Sequence, residues 1–211
     1  NIIKYWNDLT EKIIIKTPDD ATNYLCNGWI IYQTYCSRIL AKSGYYQSGG
    51  AYGFRDQLQD SMCMKYFDEN IEKNQIIKHC AHQFIEGDVL HWWHEENEMG
   101  IRTKFSDDLL WLPYTVYDYI KYTGDYSILD IEVPYLKGDL LENNIDEKYD
   151  HYETSDIKEN IYFHCIKAIK KSLNFGKNGI PKIGSGDWND GFNLVGNKGE
   201  GESVWLGFFL Y

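Results

Sequence analysis

The sequence predicts an all-α protein in which helical hairpins are arranged as a toroid. Apolar residues recur at helical spacing in several segments of about 12 to 20 residues, and polar loops rich in glycine or tryptophan separate these segments. Alternating strand patterns are short by comparison, and the best of them covers only residues 179–183. In a toroid of hairpins, the loops at one end line the active cleft.

Several segments carry the helical pattern. They are residues 2–15, 21–41, 54–67, 71–84, 109–122, 154–173 and 202–211. The second segment follows a turn and has an apolar stripe wide enough for packing on two sides. Ser106 is suited to cap the helix at 109–122, and Thr154 or Ser155 is suited to cap the next one. Residues 126–134 predict a short helix followed by a bend.

Three other stretches interrupt this pattern. Residues 43–53 predict a loop rich in glycine and tyrosine, and residues 86–108 are densely polar and aromatic. Residues 137–153 are acidic and poor in apolar side chains, so they predict a solvated excursion from the fold. We attach no function to that acidic stretch.

Composition narrows the class of partner. The net charge of −11 argues against nucleic acid or an anionic membrane as the main partner. No apolar run of about 18 residues and no signal peptide are apparent. The 5 cysteines are odd in number and scattered, which indicates reduced thiols in a cytoplasmic protein. Because the chain does not begin with Met and stops within an apolar helical pattern, we expect a fragment.

The loop from Gly184 to Asn193 holds an indole, two carboxylates and two amides between glycines. The ring of Trp188 could stack on a pyranose, the amides could bind hydroxyls, and a carboxyl could protonate a glycosidic oxygen. A surface turn with Trp188 folded into the core explains the same residues. These residues alone leave the two interpretations evenly matched.

Residues 47–60 and 86–108 also combine glycine, an aromatic and an acid. Long loops of this composition are more often functional than plain connections. In the first of them Arg55 precedes Asp56, and Asp56 and Asp60 share a helix face. This pattern suits either a helix start that faces a ligand or an ordinary ion pair.

In the second of these loops, Asp107 and Asp108 follow Ser106. Acidic side chains in the first turn of a helix are stabilised by the helix dipole. We therefore interpret this pair first as part of a helix start.

The histidines His79, His82, His91 and His94 lie close together in the sequence and invite a metal site. However, His91 and His94 bracket two tryptophans, and no spacing matches a helix with two histidines and an acid. Structural histidines, or hydrogen bonds to a sugar or phosphate, explain them better. We predict no metal site.

Four motifs occur in a recognisable order. They are residues 49–60 (GGAYGFRDQLQD), 91–94 (HWWH) with 102–108 (RTKFSDD), 186–191 (GDWNDG) and 201–207 (GESVWLG). Together they resemble the catalytic domain of glycoside hydrolase family 94, the inverting disaccharide and oligosaccharide phosphorylases. The resemblance covers most of the chain and is more specific than a lone Asp-Trp-Asn-Asp.

The resemblance implies an (α/α)6 barrel, of which residues 1–211 would be the N-terminal part, truncated at both ends. Asp190 matches the general acid that protonates the leaving glycosidic oxygen. Trp188 matches a sugar contact in the donor subsite, and Arg55 and Asp60 lie in a donor-subsite motif. Inorganic phosphate is the implied co-substrate, with no cofactor. Most of the phosphate site would lie beyond this chain, so we expect residues 1–211 alone to be inactive.

An inverting phosphorylase needs one essential acid, because phosphate is already an anionic nucleophile that only has to be positioned and neutralised. Asp190 would have to stay protonated near neutral pH. We expect burial, or a neighbouring carboxylate such as Asp187, to raise its pKa for this purpose.

The motifs look closer to the branch that acts on β-1,2-linked glucans than to the cellobiose or chitobiose phosphorylases, which stay open as alternatives. The expected ligands are therefore a β-glucooligosaccharide and phosphate, and the full-length protein could be a homodimer. Two other classes also stay open. One is an inverting hydrolase on the same toroid, with Asp190 as acid and Asp107, Asp108 or Glu86 as base. The other is a non-catalytic carbohydrate-binding module.

Overall fold

The computed structural model describes residues 1–41 and 50–211, which combine α-helices with two antiparallel β-sheets. The helices are α1 (Ile2–Thr10), α2 (Asp20–Tyr24), α3 (Ile30–Gln33), α4 (Phe54–Met64), α5 (Glu69–Cys80), α6 (Trp111–Thr123), α7 (Ile161–Ser172) and α8 (Val204–Leu210). The strands are β1 (Ala51–Gly53), β2 (Leu90–His94), β3 (Met99–Thr103), β4 (Glu132–Lys137), β5 (Glu147–His151) and β6 (Glu153–Asn160). The prediction of an all-α toroid, and with it the partial (α/α)6 barrel, is wrong for these residues.

The polar and aromatic stretch 86–108 is a β-hairpin rather than a loop. Strands β2 and β3 pair antiparallel, with a register shift between Leu90 and Trp92. That irregularity breaks the alternation of apolar and polar residues by which a strand is recognised in a sequence. Trp93 is 1% exposed and stacks on the ring of His82, with centroids 3.8 Å apart. The hairpin therefore contributes to the core.

The four-stranded sheet has the order β1-β2-β3-β5. Its last strand comes from the acidic stretch 137–153, which is therefore not simply a solvated excursion. Arg102 on β3 secures the beginning of this stretch, because its Nη1 donates to the carbonyls of Gly138 and Asp139 at 3.2 and 3.0 Å. Backbone pairing and a buried guanidinium hold the stretch in place although it has few apolar side chains.

Strands β4 and β6 form the second sheet. Residues 154–160 thus belong to a strand, and α7 begins only at Ile161, capped by Asn160, whose Oδ1 accepts from the amide of Phe163 at 3.1 Å. The predicted cap at Thr154 or Ser155 is wrong. The predicted short helix at 126–134 is a 3-10 turn over residues 126–130, followed by β4.

Other helical predictions were also too long. Helix α1 ends at Thr10, and the segment 21–41 consists of short helical pieces rather than one helix. Gly28 interrupts it with a φ of +119°, a value that glycine tolerates and other residues rarely adopt. Part of the predicted loop at 43–53, including Gly49 of the first motif, falls on residues 42–49, outside the described residues.

Helices α4 to α7 enclose the main apolar core. Leu58, Ile76, Leu112 and Ile161, from these four helices, are each fully buried. Because α4 packs against α6, the start of α4 lies beside the 3-10 turn Asp108–Leu110 that leads into α6. Within the part of the chain that the structure describes, no helix has the length and apolar character needed to cross a membrane.

Candidate active site

The side chain of Arg55, in the first turn of α4, is the centre of a polar cluster. Its Nη1 lies 3.2 and 3.0 Å from the two carboxylate oxygens of Asp107 and donates to the carbonyl of Asp187 at 3.1 Å. Its Nη2 contacts Oδ1 of Asp190. The residue is 6% exposed, so this guanidinium is a buried cation held by several partners.

Asp107 is the most deeply buried acid of the cluster, with no exposed surface. Its Oδ2 also accepts from the indole Nε1 of Trp111 at 3.2 Å. Burial and the neighbouring carboxylate of Asp108 raise the pKa of Asp107 to about 7, against the opposing effect of Arg55. The charge of Asp107 therefore depends on its contact with Arg55.

Asp108 connects the cluster to the hairpin. Its Oδ2 lies 2.7 Å from Nδ1 of His91 on β2, and its Oδ1 lies 3.9 Å from Nε of Arg55. The His91 ring stacks on Phe105, with centroids 4.4 Å apart. Burial lowers the pKa of His91, but the Asp108 carboxylate outweighs this effect, so the pKa lies above its ordinary value.

Two glycines allow the loop 184–193 to approach the 104–106 segment. The amide of Ser106 donates to the carbonyl of Gly186 at 3.0 Å, and the amide of Ser185 donates to the carbonyl of Lys104 at 3.1 Å. A Cβ on Gly186 would lie 2.6 Å from the ring of Phe105, and one on Gly184 would collide with the carbonyl of Lys104. Glycine is required at both positions.

Asp187 has a structural role in this loop. It is 3% exposed, and its Oδ2 accepts from the hydroxyl of Ser203 at 2.6 Å. Its Oδ1 accepts from the amide of Asn189 at 2.9 Å. Ser203 also caps α8 by accepting from the amide of Leu206 at 3.0 Å. Asp187 thus fixes the shape of the loop and its attachment to α8.

Asp190 and Trp188 lie on the accessible side of the loop. The side chain of Asp190 is 64% exposed apart from its contact with Arg55, and Trp188 is 47% exposed. No ring within residues 1–41 and 50–211 stacks on Trp188, so its indole is available to a ligand. The alternative of a tryptophan folded into the core does not describe this residue.

Asp60 lies apart from these contacts, although it is on the same helix as Arg55. Its carboxylate pairs with Arg38, which also lies 3.6 Å from Oδ1 of Asp56. Burial raises the pKa of Asp60, and the Arg38 contact opposes this effect. The structure therefore brings Arg55 and Asp190 into contact and places Asp60 in a neighbouring ion pair.

The remaining candidates have structural partners. Glu86 binds Arg102, with Oε2 2.9 Å from Nη2, and not the Arg55 cluster. His79 and His82 pack around the indole of Trp93, with ring centroids 5.2 and 3.8 Å away. Among the described residues, no group of three or more histidine, cysteine and acidic side chains is arranged to hold a metal ion.

Asp107, Asp108 and His91 were not expected from the sequence to be central to the site. Their signal was present in the Phe-Ser-Asp-Asp and His-Trp-Trp-His motifs, but a helix start explained the acids without any distant partner. The pairing of Asp107 with Arg55 joins residues 52 positions apart, and no local pattern encodes it. Ser203 was part of a motif and carried no separate signal.

Comparison with known proteins gives a consistent result. Residues 5–211 match the family described as "Glycosyl hydrolase 94 superfamily, catalytic domain". The chain is 42% identical over 207 residues to the cyclic beta-(1,2)-glucan synthase NdvB of Rhizobium meliloti (strain 1021), covering 98% of this chain and 7% of that protein. It is 30% identical over 204 residues to the solabiose phosphorylase of Paenibacillus borealis, covering 96% of this chain and 23% of that protein.

A third relative is the N,N'-diacetylchitobiose phosphorylase of Vibrio furnissii, with 24% identity over 239 residues, 100% of this chain and 27% of that protein. The chain therefore spans between 7% and 27% of the length of these relatives. The family match nevertheless covers nearly every residue, including the whole Arg55 cluster. This chain belongs to the glycosyl hydrolase 94 superfamily and forms part of its catalytic domain.

Proposed function

We propose that the protein containing this chain catalyses inverting phosphorolysis of β-linked glucooligosaccharides and releases α-glucose 1-phosphate. Members of the family are inverting phosphorylases of disaccharides and oligosaccharides. The observation that carries the proposal is the contact between Arg55 and Asp190, which puts a buried cation and an accessible acid side by side. Both residues were expected in the sugar site from their motifs.

The reaction requires one bond to form and one to break at the anomeric carbon. An oxygen of phosphate attacks that carbon from the face opposite the leaving group, so the configuration inverts. The bond from the carbon to the glycosidic oxygen breaks, and Asp190 donates its proton to that oxygen. The products are α-glucose 1-phosphate and an oligosaccharide shortened by one glucose.

Asp190 must be neutral to donate that proton. Arg55 is anchored through Nη1 by Asp107 and by the carbonyl of Asp187, so Nη2 can change partner while the guanidinium stays in place. We infer that a sugar hydroxyl takes Nη2 when substrate binds. Asp190 then loses its cation and is desolvated by the sugar, and both changes favour its protonated form.

Trp188 and Asp60 complete the proposed sugar site. The half-exposed indole of Trp188 offers a flat apolar face to a pyranose. Asp60 is partly exposed and is oriented by Arg38, so its carboxylate can accept a hydrogen bond from a sugar hydroxyl. In this proposal both residues bind substrate and take no part in proton transfer.

The β-1,2 linkage is the finer part of the proposal. Its support is the 42% identity to a protein named as a cyclic beta-(1,2)-glucan synthase, together with the loop motifs around Arg55 and Asp190. The relatives named as solabiose and N,N'-diacetylchitobiose phosphorylases are less similar, with 30% and 24% identity. We therefore favour a β-1,2-glucooligosaccharide as substrate.

The hydrolase alternative needs a second carboxylate to activate water. Asp107 and Asp108 are 0% and 1% exposed and are engaged with Arg55 and His91, while Glu86 binds Arg102. None of the three offers an accessible carboxylate beside Asp190. Phosphate, which needs no base, fits this arrangement better.

The test uses the full-length protein with β-1,2-linked glucooligosaccharides, with and without inorganic phosphate. We expect turnover only with phosphate, and α-glucose 1-phosphate as the product detected by phosphorus NMR. Oligosaccharides with β-1,4 or β-1,3 linkages serve as controls for the linkage. Release of free glucose without phosphate would identify a hydrolase instead, and binding without turnover would identify a carbohydrate-binding protein.

A further inference from the structure

His91 lies where the pairing of β2 and β3 is irregular. Leu90 pairs with Arg102 and Trp92 pairs with Ile101, and the register shifts between them. Irregularities of this kind change the direction of a side chain and occur frequently next to active sites. Here the irregularity brings the imidazole to the candidate active site instead of leaving it in the regular ladder.

The imidazole of His91 is held by a hydrogen bond at one ring nitrogen and by stacking on one ring face. Nδ1 lies 2.7 Å from Oδ2 of Asp108, and the ring stacks on Phe105 with an interplanar angle of 13°. The side chain is 20% exposed. Within residues 1–41 and 50–211, no hydrogen bond is made to Nε2, so the ring can gain a proton without losing a partner.

The charges around Arg55 are not balanced. Three carboxylates, those of Asp107, Asp108 and Asp190, lie within 4 Å of this one guanidinium. Two of them are fully buried, where an uncompensated charge is costly. An anionic co-substrate would add still more negative charge. His91 is the group in contact with this cluster that can become a second cation.

We propose that His91 is a positioning residue that takes up a proton when the anionic co-substrate binds and so supplies the second positive charge of this site. The inference rests on the proposed function, since it takes inorganic phosphate as that co-substrate. His91 acts through Asp108. When the imidazole is protonated, it neutralises Asp108 and leaves the charge of Arg55 free to act on the ligand.

The groups that face His91 determine the direction of the pH dependence. Asp108 and Asp190 favour the protonated imidazole, Arg55 opposes it, and Phe105 covers one face of the ring. Phosphate binding adds a further anion and favours the protonated form more strongly. Phosphate should therefore bind best at low pH, and its binding should weaken as the imidazole loses its proton.

The test compares the wild-type full-length protein with His91→Asn. Asparagine can still donate a hydrogen bond to Asp108 but does not titrate, so strand β2 keeps its contact with Asp108 and loses the ionisable group. The control is His151→Asn, which removes an exposed histidine that pairs with Glu98 on the edge of the sheet. For each protein, kcat/KM for phosphate and for the oligosaccharide is measured between about pH 6 and 9.

For the wild type we expect kcat/KM for phosphate to fall as pH rises. In His91→Asn we expect kcat/KM for phosphate to be about tenfold lower at the acidic end of the pH range and to depend less on pH. The KM for the oligosaccharide should change much less, which separates this role from a merely structural one. His151→Asn should keep the wild-type profile. A profile of His91→Asn that matches the wild type would overturn the inference.

Calorimetry with inorganic phosphate alone separates this inference from the proposed function. Titrations in two buffers with different heats of ionisation give the number of protons taken up on binding. The wild type should take up more protons than His91→Asn. Equal uptake, or no phosphate binding by the wild type, would overturn the inference. Absence of phosphorolysis by the wild type would overturn the proposed function, and the calorimetric comparison would still decide the role of His91.

Discussion

Nη1 of Arg55 lies 3.2 and 3.0 Å from the two carboxylate oxygens of Asp107, a contact that is buried between the starts of α4 and α6. Asp107 thereby anchors the guanidinium and leaves its other end for Asp190. A carboxylate offers two charged acceptors to this nitrogen, whereas an amide offers one neutral acceptor. The position of Arg55 therefore depends on Asp107.

Asp107→Asn should lower kcat/KM for the oligosaccharide by about tenfold or more, because a hydrogen bond to a charged group is worth about 1.5–3 kcal/mol. The measurement is the phosphorolysis rate of the full-length variant at several oligosaccharide concentrations. The control is Asp150→Asn, which changes an exposed acid on β5 that pairs with Lys148. Wild-type kinetics for Asp107→Asn would show that Arg55 does not need this anchor.

Trp188→Ala should weaken oligosaccharide binding without destabilising the protein. The indole is 47% exposed, so its removal leaves no cavity, but it takes away the flat face proposed for the sugar. We expect KM for the oligosaccharide to rise about three- to tenfold, in line with about 0.5–1.5 kcal/mol for a ring contact.

Tyr126→Ala is the control for this prediction, since it removes a 69% exposed ring on the 3-10 turn before β4. Its KM should equal that of the wild type. If Trp188→Ala kept the wild-type KM, or if it lowered the thermal midpoint, the side chain would have no role as a sugar platform.

Glu72 on α5 should make the stability depend on pH. It is fully buried, and neither carboxyl oxygen has a hydrogen-bond partner among the described residues. Burial raises its pKa from 4.5 to about 8, against the effect of Lys65. Since the folded state holds this proton more tightly, the stabilisation is complete below 4.5 and is lost as pH rises through about 8.

Glu72→Gln removes this ionisation, so the thermal midpoint of the variant should fall less steeply than that of the wild type over the same pH range. Glu69→Gln changes an exposed position on the same helix, and its thermal midpoint should depend on pH as steeply as that of the wild type. Thermal unfolding of the full-length proteins at a series of pH values gives the comparison. If the thermal midpoints of Glu72→Gln and the wild type changed with pH in parallel, the prediction would be refuted.

The helices near the site could be predicted from the sequence because each has its own apolar periodicity. Helices α4 and α6 begin within a few residues of their predicted starts. The family resemblance, rather than periodicity, placed Arg55 and Asp190 separately in motifs of the sugar site. The sheets could not be predicted in the same way. Strand β6 reads Glu-Thr-Ser-Asp-Ile-Lys-Glu-Asn and has no apolar alternation, and it forms because β4 offers it backbone partners.

The contacts between the charged residues of the site could not be predicted from local sequence patterns either. Asp107 and Asp108 were interpreted as acids in the first turn of a helix, which needs no distant partner. Their role depends on Arg55 and His91, which come from another helix and from a hairpin that the periodicity did not reveal. We also expected burial or Asp187 to act on Asp190. Instead Asp187 is bound to Ser203 and Asn189, and the neighbour of Asp190 is a cation.

The role of Asp190 as the proton donor is the central claim, and one comparison tests it directly. Asp190→Asn and the wild type are assayed on a natural β-linked oligosaccharide and on a dinitrophenyl β-glucoside, whose leaving group departs without a proton. We predict that the variant loses about 10²–10⁴-fold in rate on the oligosaccharide, the usual contribution of a general acid, and little on the glucoside. An Asp190→Asn variant that cleaves the natural oligosaccharide at the wild-type rate would contradict this prediction.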